Sequence, residues 1–107
     1  MISKRTIVTT CIGLLLACSA FAKDVIIDVR TPQEFQTGHV EGALNIPHNT
    51  IGREIAKTMV AKDDHVILYC VSGRRADMAL DTLKEQGFSH VENYGSLEQA
   101  QKRLQKP

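Results

Sequence analysis

The sequence predicts a small α/β domain, a mostly parallel sheet with helices on both faces. Short apolar strand segments alternate along the chain with stretches of helical periodicity. The connections between them are short, and strand–helix alternation is the pattern of parallel strands joined by crossover helices. The chain has 107 residues, 43% hydrophobic and 23% charged, the length and composition of one ordinary globular domain. A formal net charge of +1 makes no case for nucleic acid or a charged membrane surface. With no tryptophan and 5% aromatic residues, no platform for stacking bases or sugars is evident. There are no internal repeats or low-complexity runs.

Residues 1–22 are expected to stand outside the domain. Lys4 and Arg5 precede an apolar run, Thr6 to Cys18, that is too short to span a bilayer. Ala20-Phe21-Ala22 then gives a small-x-small cleavage site. The segment reads as a cleavable secretory signal, so the mature domain covers 23–107 and works in the periplasm. Leu15-Leu16-Ala17-Cys18 also resembles a lipobox, which would anchor the chain at Cys18; otherwise no membrane association is expected of the mature form. Cleavage removes Cys11 and Cys18 and leaves Cys70 alone. One cysteine cannot form an internal disulfide in an oxidising compartment, so Cys70 becomes a candidate reactive thiol.

The first strand is Val25-Ile-Ile27, closed by Asp28-Val-Arg30. Asp28 and Arg30 are expected on opposite faces, as a structural ion pair or hydrogen-bond anchor beneath the site. Thr31, Pro32 and Glu34 spell a helix start, with a cap, a proline at the first position and a capping box. Gly38 stops that helix. Ala43 to Ile46 is the second strand, ended by Pro47. Asn49 or Thr50 caps the next helix, whose buried face is Ile51, Ile55 and Met59. A polar turn, Ala61 to Asp64, leads to the central strand, His65 to Tyr69. Ala76, Ala79, Leu80 and Leu83 mark one face of a helix running from about Arg75 to Gln86. Val91 to Tyr94 is the fourth strand. Gly95 turns, Ser96 and Gln99 form a second capping box, and Leu97, Ala100 and Leu104 give the last helix a narrow apolar face.

The chemistry is concentrated in Cys70-Val-Ser-Gly-Arg-Arg75. Cys70 falls where the central strand ends, and ligands of open α/β sheets bind beyond the carboxyl ends of strands. Gly73 permits a tight loop. A helix N-terminus and two arginines favour thiolate; a free cysteine titrates near about 8.5, and such surroundings lower that value. The competing reading is that Cys70 is a small buried hydrophobe. His39, His48, His65 and His90 are scattered without metal-ligand spacing, so no metal is expected, and no cofactor motif is present. Arginine stands five residues after Cys70, as Arg75, while position +6 is Ala76. Cysteine phosphatases and arsenate reductases use the longer C-x5-R loop, which encircles a tetrahedral oxyanion. The shorter ring suits a persulfide sulfur or the end of thiosulfate better.

On these motifs the chain resembles a single-domain rhodanese, a thiosulfate sulfurtransferase, of the small exported type. Asp28-Val-Arg30 with Glu34-Phe35 resembles the family's opening motif, and Gly38 to Ala43 with Asn45-Ile-Pro47 its second. Cys70 to Arg75 resembles the active-site loop, and Gly87-Phe88 with Val91 to Gly95 the closing segment. The chain departs from the family in having Ser96 where a second glycine is common, and its expected mature form in starting almost at the first motif. The resemblance implies a rhodanese-like fold and transfer of sulfane sulfur through a Cys70 persulfide to a thiophilic acceptor, cyanide or a thiol. It implies a small-molecule donor held by Val71, Ser72, Gly73, Arg74 and Arg75, with Arg75 facing the anionic donor and Arg74 at the rim. The alternatives are a non-catalytic sulfane-sulfur carrier or sensor, and a phosphatase or arsenate reductase.

Overall fold

The computed structural model describes residues 23–105; the expected signal segment, 1–22, lies outside them. The chain runs β1 (Asp24–Asp28), α1 (Pro32–Gln36), β2 (Leu44–Asn45), α2 (Ile51–Glu54) with a 3-10 turn at Ile55–Lys57, β3 (His65–Cys70), α3 (Arg74–Glu85), β4 (His90–Ser96) and α4 (Leu97–Leu104). The four strands form one parallel sheet in the order β2-β1-β3-β4. The expected α/β class holds, and within the described residues the sheet is parallel throughout.

Alternation along the strands divides the core in two. Ile27, Val66, Leu68 and Cys70 pack with Ile51, Ile55, Ala76, Ala79 and Leu83, so α2 and α3 cover one face. Ile26 and Tyr69 turn to the other face, where Val40, Leu97, Ala100 and Leu104 cover them. Leu68 and Leu83 are fully buried, which stabilises the fold by about 1.5–3 kcal/mol each. Both capping boxes form: Thr31 with Glu34, and Ser96 with Gln99. Each cap contributes about 1 kcal/mol.

Two expectations need correction. The helix after Thr50 ends at Glu54 and tightens into the 3-10 turn, so Met59 lies beyond it and is 89% exposed rather than buried. Thr50 is the N-cap residue but its side chain makes no capping bond. The polar turn before β3 forms at 62–64, and within it Asp64 is buried, its carboxylate accepting the N–H groups of Ala61 and Lys23 at 2.9 and 3.2 Å.

Asp28 and Arg30 do not diverge. Residues two apart on an extended chain return to the same side, and here the two side chains meet. Arg30 donates from Nε to both Asp28 oxygens, at 2.9 and 3.0 Å, and from Nη2 to Oδ2 at 2.6 Å. The same Nη2 donates to the carbonyl of Gly38 at 2.6 Å. The Tyr69 hydroxyl accepts the N–H of Val40 at 2.9 Å, and burial pushes its pKa up to about 12. These contacts pin the segment after α1 beneath the end of β3.

At the opposite end of the sheet, His65 lies 2.6 Å from Glu92 and 3.1 Å from Asp24. The Glu92 hydrogen bond, with help from Asp24, raises the imidazole pKa above its ordinary value despite partial burial. A raised folded-state pKa contributes stability that is fully present below the unfolded value, near about 6.5, and lost as pH rises through the folded one. The thermal midpoint should therefore fall as pH rises past about 6.5, and His65→Gln should flatten that slope. An unchanged slope in the variant would show that other groups set it.

Candidate active site

The strand order creates the site. The connection from β1 leads outward to β2, while the connection from β3 leads the other way to β4. Neighbouring strands whose loops depart in opposite directions leave a crevice at their carboxyl ends. Cys70 ends β3 at that crevice, and Asp28-Val-Arg30 ends β1 beside it.

Cys70 is 1% exposed and belongs to the larger core cluster. Its sulfur is nevertheless engaged by a polar group, since the N–H of Gly73 donates to Sγ at 3.0 Å. Gly73 makes this possible with φ +95°, a left-handed conformation that a side chain would strain. The same residue is the N-cap of α3, and no side chain caps that helix. Its first N–H groups, unpaired within the helix, therefore face the loop. Such donors stabilise negative charge on or near the sulfur.

The loop is tied down from both sides. Asn93 on β4 donates to the Gly73 carbonyl at 2.8 Å and to Asp77 at 2.7 Å, and its own Oδ1 accepts the N–H of Gly95 at 2.8 Å. Here β4 carries one extra residue between the pairs Leu68↔Asn93 and Cys70↔Ser96, a bulge that re-aims the strand end. Gly95 sits in it at φ +90°, where a Cβ would collide with the Gln99 side chain. On the other side, Glu34 accepts from Arg75 Nη1 and Nη2 at 3.0 and 3.2 Å. The Arg75 guanidinium, with the Thr31 N–H, lowers the Glu34 pKa to about 2. Glu34 in turn raises that of Arg75.

Of the predicted site residues, Val71, Ser72 and Arg74 are exposed, Gly73 is buried and Arg75 is half-buried against Glu34. Ser72, Gly73 and Arg74 line a cleft of ≈ 550 Å³ that reaches across the end of β4. Arg75 does not line it. Two residues escaped sequence reasoning as parts of the site. Glu34 carries a capping-box signal that explains its local role and conceals its reach to Arg75. Asn93 carries no signal of its own, because its partners are assembled only when β4 pairs with β3. Among the described residues, no three His, Cys, Asp or Glu side chains come together to hold a metal.

A family model for the rhodanese-like domain matches residues 15–102. The thiosulfate sulfurtransferase PspE of Escherichia coli is 41% identical over 86 residues, 80% of this chain and 83% of that protein. A solved rhodanese from E. coli, obtained with anions, superimposes at a TM-score of 0.68 with 42% identity, covering 71% of this chain and 89% of that one. The Alr3790 protein from Anabaena sp. has a TM-score of 0.67 at 27% identity, covering 79% and 75%.

Proposed function

The chain belongs to the rhodanese-like family, and on that footing we infer that it is a thiosulfate sulfurtransferase whose sulfur carrier is Cys70. One observation bears most of the weight: the cysteine at the switch point of the sheet has its sulfur on the Gly73 N–H, at the mouth of an uncapped helix. A merely packed cysteine needs no such donor.

The reaction has two half-steps. The Cys70 thiolate attacks the outer sulfur of thiosulfate. A new S–S bond forms, the S–S bond of thiosulfate breaks, and sulfite leaves with the electron pair. A thiophile then attacks the outer sulfur of the persulfide, and the Cys70 thiolate is released. The Gly73 N–H on Sγ, at the N-terminus of α3, stabilises the anionic sulfur in both half-steps. Incubating the protein with thiosulfate, removing the excess and weighing it should show a gain of one sulfur atom. Cyanide should remove that sulfur as thiocyanate. A sulfur carrier would load and discharge sluggishly. A phosphatase would not load, and would instead hydrolyse a phosphate ester.

The two loop arginines divide the work. Arg74, exposed on the cleft, lies at the rim, where it attracts the anionic donor from solvent. Arg75 acts through Glu34, fixing the loop that carries the N–H donors. Arg75→Ala should lower kcat/KM for thiosulfate about ten- to a hundredfold, the worth of a charged hydrogen-bonded pair. Glu34→Gln should lower it in the same direction. Arg74→Ala should cost less and depend on salt, since an exposed charge is screened. Full activity in Glu34→Gln alongside loss in Arg75→Ala would mean that Arg75 touches the donor directly.

The periplasm is the proposed site of action, supported by the basic start, the apolar run and Ala20-Phe21-Ala22. Cleavage there would turn the Lys23 nitrogen, 3.2 Å from Asp64, into a charged amino group beside a buried carboxylate. N-terminal sequencing of exported protein should begin at Lys23, and a lipid-modified start at Cys18 would overturn this.

A further inference from the structure

Two helices of this chain fix their first turn with their own cap. Thr31 on α1 and Ser96 on α4 each accept a backbone N–H of the turn that follows. The helix at the site does otherwise. Its N-cap residue is Gly73, at φ +95° and ψ −13°, with no side chain to offer. A capping oxygen there would take an N–H of the first turn, and those N–H groups stand beside the sulfur. Glycine leaves them free, but it is the residue type with the most backbone freedom. Something outside the loop has to hold its peptide groups. Asn93 does so from the carbonyl side. Its Nδ2 donates at 2.8 Å to the Gly73 carbonyl, which also accepts the first helical bond, from the Asp77 N–H at 3.0 Å. The same amide donates to Asp77 Oδ1 at 2.7 Å, and its oxygen accepts the Gly95 N–H at 2.8 Å. Asn93 is thus anchored in the β4 bulge and grips the start of α3.

We propose that Asn93 is a positioning residue for the Cys70 sulfur: by holding Gly73 at its carbonyl, it keeps the Gly73 N–H aimed at Sγ while occupying no N–H of the helix start. The inference rests on the reading of Cys70 as the sulfur carrier. Asn93 acts through Gly73, whose N–H lies 3.0 Å from Sγ. Without the amide, the freedom of glycine returns, and the N–H is no longer held on the sulfur. The thiolate then loses a donor, and so does the thiolate released when the persulfide is discharged. Asp77 loses a partner in the same substitution, so the two contacts of Nδ2 have to be separated by experiment.

The test reads the sulfur and the fold apart. Iodoacetamide is uncharged and alkylates thiolate, so its rate at Cys70, followed against pH on the peptide that carries it, reports the sulfur without help from the arginines. Each rate is divided by the same protein's alkaline plateau, which removes any change in access. In Asn93→Ala that relative rate should fall about tenfold near pH 7, the lower end for loss of a hydrogen bond to a charged group, with the acid limb moved to higher pH. The charges around the loop (Arg74, Arg75 and Asp77 on α3, Glu34 on α1, Arg30 after β1) are all kept in this variant. A merely structural Asn93 predicts a lower melting midpoint and an unmoved profile. Asn93→Asp/Asp77→Asn exchanges the pair at constant net charge. Its new amide donates to the carboxylate at position 93, which still accepts the Gly95 N–H, but nothing donates to the Gly73 carbonyl. This variant should melt nearer the parent and keep the displaced profile, and it carries the test if Asn93→Ala folds poorly. A profile restored together with the melt overturns the proposal, because the Asp77 contact would then be the one that matters. An unmoved profile in a protein that takes up sulfur from thiosulfate overturns the positioning role alone. A parent protein that never takes up sulfur overturns the carrier reading, whatever the profiles of the variants.

Discussion

Cys70→Ser should take up no sulfur from thiosulfate and release no thiocyanate, with activity down on the order of a thousandfold or more, as when a covalent nucleophile is removed. A serine hydroxyl stays protonated at neutral pH and cannot act as the sulfur anion does, although Gly73 N–H can still donate to its oxygen. The substitution is nearly isosteric, but it places a hydroxyl at a residue that is 1% exposed, at a cost of at most about 1–3 kcal/mol, the penalty of a buried hydroxyl with no partner. A thermal melt run beside the assay separates that cost from the loss of chemistry. A folded Cys70→Ser protein that still transfers sulfur would return Cys70 to the role of a small core residue.

Arg30→Ala should cost about 3–5 kcal/mol of folding stability, because breaking a buried pair from one side strands the other charge. The stranded group is Asp28, which is 0% exposed, and the Gly38 carbonyl loses its donor as well. That loss is a large share of the about 5–15 kcal/mol that holds an ordinary domain together. Denaturant unfolding should show the midpoint collapse. Asp28→Asn/Arg30→Gln should be less destabilised than the two single losses summed, since no net charge is then left buried. A cost for Arg30→Ala below about 1 kcal/mol would mean that water reaches Asp28 and that the pair is not a buried anchor.

Much of this molecule is local, and the sequence alone determined that part. Thr31 with Glu34 and Ser96 with Gln99 cap their helices through contacts three residues apart, which need no distant partner. Ala76, Ala79 and Leu83 are fully buried because a helix's own period puts them on one side. Cys70 before Gly73 and a helix start marks the loop for the same reason. Periodicity failed at Met59, where α2 stops at Glu54 and the apolar spacing continues past it. The tertiary structure alone decided what distant segments do to one another. The strand order 2-1-3-4 made the end of β3 a crevice. The pairing of β3 with β4, through its bulge, brought Asn93 onto Gly73. The packing of α1 against the loop turned Glu34 from a helix cap into the partner of Arg75, 41 residues away. No periodicity encodes such a contact, because it depends on which strands become neighbours, and that is settled by burial of the whole sheet rather than by any one segment.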